Sequence, residues 1–190
     1  MNIISTIFLA LLLFLIVGCE DKTKEKDTTL IESNLSKIDT FNLSDIENKI
    51  QRVTITNKKV IFHNPSQGIL LINIFASWCK PCMDNIEYMN ILQQKYSKDI
   101  FIAGVSVNDD INRTQIKSLI EKHKIEYFLS STPSNERFTT LLANTLNLPQ
   151  NYDIPLLAMF VEGRYFAHYE GRVPIEMIED DIKEAIKELE

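Results

Sequence analysis

The chain has 190 residues, 45% of them hydrophobic and 24% charged, with a formal net charge of −6; that suits one globular domain plus an extension. Lysines alternate with acids almost everywhere, so the clustered basic face that nucleic acid requires is missing and no nucleic-acid partner is expected. There are three cysteines, Cys19, Cys79 and Cys82, which excludes a disulfide-stapled scaffold, because two of them sit too close together to close a long loop.

Ile7 to Val17 is an unbroken apolar run ending in Gly18-Cys19, after which the chain turns polar at Glu20-Asp21-Lys22. A membrane-spanning helix needs about 20 apolar residues, so the run reads as the apolar region of a signal peptide. Ile16-Val17-Gly18-Cys19 resembles the lipobox of bacterial lipoproteins. That resemblance implies that Cys19 receives diacylglycerol and becomes the mature N-terminus, with Gly18 supplying the small residue before the cut. Met1 to Thr6 contains no Lys or Arg, which leaves an uncleaved N-terminal anchor as the alternative. Either way the remainder lies outside the cytoplasm beside a membrane, held stably if several acyl chains are attached. The expected plan is a signal peptide over 1–18, a lipidated N-terminus and polar tether over 19–43, and one domain over 44–190. The localisation is then the bacterial cell envelope, as a membrane-anchored lipoprotein facing the periplasm.

Ser44-Asp45-Ile46-Glu47 matches a capping box with Leu43 placed for a hydrophobic staple, so a short helix is expected over about 45–51. Val53–Thr56 and Val60–His63 flank Asn57-Lys58-Lys59 as a hairpin. Ile69–Phe75 is a continuous apolar run of strand length, suited to a strand buried on both faces. Helical spacing follows at Ile86, Met89, Leu92 and Tyr96, then a buried strand over Phe101–Val107. Asn108–Asp110 are placed to cap a second helix marked by Ile116, Leu119 and Ile120. Ile125–Leu129 reads as a strand, and Phe138, Leu141, Leu142 and Leu146 as a third helix closed by Pro149. Glu162-Gly163-Arg164 separates Leu156–Val161 from Tyr165–Tyr169 as a hairpin turn. Ile175, Ile178, Ile182, Ala185, Ile186 and Leu189 end the chain with an amphipathic helix. The class is α/β, helices packed around a mixed sheet.

Phe75-Ala76-Ser77-Trp78-Cys79-Lys80-Pro81-Cys82 joins a buried strand to a helix. Cysteines at i and i+3 on a first helical turn can close a small disulfide ring with little backbone motion. The unpaired N–H groups and partial positive charge there favour a thiolate, which is the attacking species. Cys79 at the open end is therefore the expected nucleophile and Cys82, one turn inward, the resolving thiol. Lys80 adds positive charge between the sulfurs, Pro81 presets φ near the helix start, and Trp78 covers one side and contributes to a docking surface. The pair calls for no cofactor and no metal. Structural zinc needs a second ligand pair, and His63, His123 and His168 do not offer one at metal-binding spacing. Copper binding by the dithiol remains an alternative, since thiolates suit Cu(I).

This segment is similar to the F-[AW]-x-x-W-C-x-x-C site of the thioredoxin superfamily, and the chain over about 50–190 resembles its TlpA- and ResA-like envelope branch. Ile154-Pro155 leading into Leu156–Val161 resembles the cis-proline strand, and Gly171 the glycine before the last helix. A strand and helix within about 100–150 resemble the branch's central insertion. The resemblance implies a thioredoxin fold: a mixed central sheet flanked by helices, with an N-terminal hairpin and a central strand–helix insertion. It further implies that Pro155 is cis and lies against the cysteines, leaving the Ile154 backbone to pair with an incoming peptide. Function follows in the same way: a thiol–disulfide oxidoreductase reducing envelope proteins, apo-cytochrome c among them, with electrons from a membrane reductase of the DsbD or CcdA type. Asn73 stands where cytoplasmic thioredoxins have a buried aspartate. Asn85 and Glu87 stand where the branch often has glutamate and proline, so Asp84 and Glu87 are only candidates to deprotonate Cys82. The same chemistry run backwards, as a disulfide donor, and a copper-binding or assembly module are the competing readings.

Overall fold

The computed structural model describes residues 38–149 and 151–190. The expected signal peptide, Cys19 and most of the tether lie outside them. The described chain carries eight strands and four helices: β1 Asp39–Ser44, β2 Ile50–Ile55, β3 Val60–Phe62, β4 Ile69–Phe75, α1 Lys80–Lys95, β5 Ile100–Ser106, α2 Arg113–His123, β6 Phe128–Ser130, α3 Asn135–Thr145, β7 Leu156–Val161, β8 Arg164–Glu170 and α4 Ile175–Leu189. Among the described residues no helix is long and apolar enough to cross a membrane.

β4 is buried at all of its seven positions, because it sits in the middle of a five-stranded sheet of order β6-β5-β4-β7-β8. It runs parallel to β5 and antiparallel to β7. Side chains alternate across a strand, and the alternation splits the core in two. Ile69, Leu71 and Phe75 pack toward Ile86, Met89 and Leu92 of α1 and Ile178 and Ile182 of α4. Leu70, Ile72 and Ile74 pack toward Phe138 and Leu142 of α3 and toward the N-terminal strands. A strand covered on both faces needs apolar residues at both parities, hence the unbroken run in the sequence.

The N-terminal region differs from expectation. No helix forms over 45–51; β1, β2 and β3 make a separate antiparallel sheet, with Ser44 paired to Ile50. The Asp45 carboxylate accepts the backbone N–H groups of Glu47 and Lys49, both at 2.9 Å, and Asn48 takes a left-handed φ of 64°. The apparent cap closes a turn. Phe41 and Leu43 on one side, and Val53 and Ile55 on the other, repeat every second residue and bury against Phe138 and Phe160. That period favours strands, and a stretch as short as 45–51 is far below the roughly 12 residues that an independently stable helix needs. β1 therefore occupies residues expected as tether.

The β7–β8 connection is a two-residue turn, Val161 pairing with Arg164. Glu162 and Gly163 both have positive φ, 48° and 77°, as the mirror-image hairpin turn requires. A side chain at Gly163 would meet the Val60 carbonyl oxygen at 3.1 Å. The Gly163 carbonyl accepts the Val60 N–H at 2.8 Å, which ties the small sheet to the large one.

The capping of α2 also falls elsewhere. Asn112 and Gln115 exchange side-chain-to-backbone bonds in a capping box, leaving Asn108 and Asp109 free for other work. β6 begins later than expected and pairs with β5 through Ala103 and Phe128. α3 starts at buried Asn135, whose amide nitrogen donates to the carbonyls of Ser106 and Ser130, both at 3.1 Å. Those bonds fix the first turn of α3 to the ends of β5 and β6.

Candidate functional site

Parallel strands β4 and β5 end side by side at Phe75 and Ser106, so the loops that follow them meet. Open α/β sheets place ligands at this edge. The β4 loop carries Ser77-Trp78-Cys79 into α1. Cys79 is the N-cap of α1, and its sulfur accepts the Cys82 N–H at 3.2 Å. Cys79 and Cys82 form a disulfide with Cα atoms 5.2 Å apart. Cys79 retains 5% exposure and Cys82 none, so an incoming group meets Cys79. The first turn of α1 carries no acidic residue to offset the helix dipole, which favours a thiolate at Cys79 once the pair is reduced.

Ile154-Pro155 is cis, Pro155 is buried, and the Ile154 carbonyl oxygen lies 3.8 Å from the Cys79 sulfur. The Pro155 carbonyl accepts the Gly171 N–H at 2.8 Å. The cis bond expected before Pro155 is present, and the residue whose carbonyl reaches the cysteine pair is Ile154, 75 positions away along the chain.

Other expected contributors are placed differently. Lys80 turns outward to pair with Asp84 at 3.2 Å, its side chain 86% exposed. An exposed pair contributes little and is screened by solvent, so Lys80 does not add an unopposed charge between the sulfurs. Pro81 lies in the first turn of α1, where its missing N–H costs nothing. Trp78 is 65% exposed. Asp84, shared with Arg172 at 3.7 Å, and Glu87 both face solvent, whereas the Cys82 sulfur is buried; neither is positioned to take its proton. Asn73 is 1% exposed and on the helix-α1 side of β4, and neither polar atom of its amide finds a full hydrogen bond. Burial pushes the nearby Tyr127 phenol up, an effect that Asn73 partly offsets.

The loop after β5 was not expected to take part. Asp109 accepts the Ser77 backbone N–H at 2.5 Å through one carboxylate oxygen and the Ser77 hydroxyl at 2.8 Å through the other. The Asn108 carbonyl accepts the Trp78 indole N–H at 2.8 Å, and the Asn108 N–H donates to Glu136 of α3 at 2.6 Å. The residues before Cys79 are therefore held by a loop about thirty positions downstream. The sequence shows only an aspartate just beyond an apolar run; that this strand lies beside the cysteine-bearing one comes from the sheet pairing.

No family model matches the chain. Over 155 residues it is 20% identical to the thiol-disulfide oxidoreductase ResA of Bacillus cereus, covering 82% of this chain and 85% of the relative. Among solved structures it is similar to a thioredoxin-family thiol:disulfide interchange protein from Chlorobium tepidum, with a TM-score of 0.57 and 18% identity over 77% of this chain and 92% of that one. It is also similar to StoA from Bacillus subtilis, with a TM-score of 0.53 and 16% identity over 75% and 96%. At such identities the structural likeness establishes the fold, which is the thioredoxin fold.

Proposed function

We propose that this chain, a thioredoxin-superfamily protein of the ResA/TlpA-like type, is a thiol–disulfide oxidoreductase that keeps chosen cysteines of the cell envelope reduced. The observation that carries the reading is the Cys79 sulfur at a helix N-cap with the carbonyl of cis-bonded Ile154 beside it. In the reducing direction the Cys79 thiolate attacks a substrate disulfide, forming a mixed disulfide and expelling one substrate thiolate. The Cys82 thiolate then attacks the Cys79 sulfur and expels the second. Two electrons and two protons pass from the dithiol to the substrate, and the Cys79–Cys82 disulfide remains. Ile154, ahead of β7, offers backbone groups to a substrate strand, and Trp78 borders the place where that strand would lie.

Regeneration requires a two-electron donor, which for an envelope protein is a membrane reductase of the DsbD or CcdA type. Haem-ligating cysteines of apo-cytochrome c are the leading substrates. Anchoring through lipidated Cys19, after cleavage behind Gly18, accounts for the apolar run and the polar switch that follows it. Metabolic labelling with a fatty acid tests this, because wild type should incorporate label and Cys19→Ala should not.

Direction is tested by the equilibrium reduction potential of the Cys79–Cys82 pair. A value near or below about −250 mV is expected, that of a reductant, and a value near about −120 mV would make the protein a disulfide donor.

A further inference from the structure

Beside the disulfide, between the cysteine loop and α3, lies a cleft of about 390 Å³ bordered by Trp78, Glu136, Thr139, Asn144, Tyr152 and Ile154. Two of these residues fix its relation to the chemistry. Trp78 immediately precedes Cys79, and the Ile154 carbonyl touches the Cys79 sulfur. A polypeptide joined to Cys79 would therefore carry its neighbouring residue over this opening.

The lining has a definite charge. Glu136 is the only ionisable residue apart from Tyr152, and among the described lining residues there is no Lys, Arg or His. None of the ion pairs among the described residues uses Glu136. Its carboxylate accepts the Asn108 N–H, and a carboxylate has room for several more donors. The Tyr152 phenol is raised above its ordinary value chiefly by burial, which Thr139 partly offsets and the Glu136 charge slightly reinforces. The remaining polar groups are neutral amides and hydroxyls.

We propose that this cleft receives the side chain next to the attacked cysteine of a substrate polypeptide, and that Glu136 selects lysine or arginine there. This deepens the oxidoreductase reading and rests on it for the placement of the substrate. A guanidinium or ammonium on a flexible stem fits a cleft with apolar walls at Trp78 and Ile154 and an acceptor at its α3 side. A glutamate in the same place would meet like charge with nothing to offset it. Because Glu136 is exposed, the preference is modest and weakens with added salt.

The test has two arms, both on the full chain. Trp78 is the single tryptophan, so its fluorescence reads occupancy of the cleft without turnover. Oxidised protein is titrated with cysteine-free peptides that differ only in one central residue: arginine, norleucine or glutamate. The arginine peptide should half-saturate at about fivefold lower concentration than norleucine, and glutamate should bind worst. In the second arm, reduced protein acts on disulfide-bonded peptides bearing the same residues beside cysteine. The arginine-to-norleucine ratio of kcat/KM should be about fivefold, falling below twofold in Glu136→Gln, whose side chain can still accept the Asn108 N–H. Thr140, exposed and also lining the cleft, offers a place for a cation, and Thr140→Lys should reverse the order in favour of glutamate. Equal binding of the three peptides, or an arginine preference that survives Glu136→Gln, would overturn the proposal. Failure to reduce any peptide, with arginine-selective binding intact, would instead overturn the oxidoreductase reading.

Discussion

Two connections in this molecule look alike in sequence and do different things. The β1–β2 connection contains Ser44-Asp45-Ile46-Glu47 and the β5–α2 connection contains Asn108-Asp109-Asp110. Each reads as the start of a helix, and neither is one. In both, an aspartate accepts backbone N–H groups. Asp45 takes amides two and four positions ahead and closes its own turn at the surface. Asp109 reaches 32 positions back to Ser77, in a part-buried setting. A cap signal reports that a side chain can accept an amide; the sheet register decides which amide is within reach.

That contrast can be broken by substitution. Asp109→Ala should have the largest effect, about 2–3 kcal/mol lost in denaturant unfolding, because two charge-assisted bonds to a partly buried loop disappear together. Disulfide-reducing turnover should fall with it, since Ser77 and Trp78 no longer hold one place. Asp109→Asn should recover more than half of the stability, as its amide can still accept the Ser77 N–H and donate to the Ser77 hydroxyl. Asp45→Ala should cost about 1 kcal/mol, since water can replace the partner of exposed amides, and leave the reduction potential of the cysteine pair where it was. Glu47→Ala should be smallest, within about 0.5 kcal/mol, because its carboxylate closes no capping box. If Asp45→Ala proved as costly to turnover as Asp109→Ala, the distinction between a local turn and a clamp on the cysteine loop would be lost.

What could be read from the chain divides along the same line. β4 was legible because burial on both faces demands an unbroken apolar run, and α1 because Ile86, Met89 and Leu92 recur at helical spacing after Cys82. The cysteine pair was legible because four residues carry the whole arrangement. β1 was not, since Phe41 and Leu43 are its only large apolar residues, set in a polar stretch, and their strand period shows only beside Val53 and Ile55. The Asp109 clamp and the Glu136 cleft depend on which strands lie adjacent, which local pattern does not encode. Ile154-Pro155 was found through likeness to a family, with nothing in its local spacing to reveal it.

The most direct test of the central claim is to trap the mixed disulfide. Reduced Cys82→Ser is mixed with a disulfide-bonded peptide, and the adduct is located by mass spectrometry of the digested protein. The account predicts a stable adduct on Cys79, released by added thiol, and little or none on Cys82 in the reciprocal Cys79→Ser variant, because the Cys82 sulfur is buried. An adduct on Cys82 with Cys79 unreactive would contradict it.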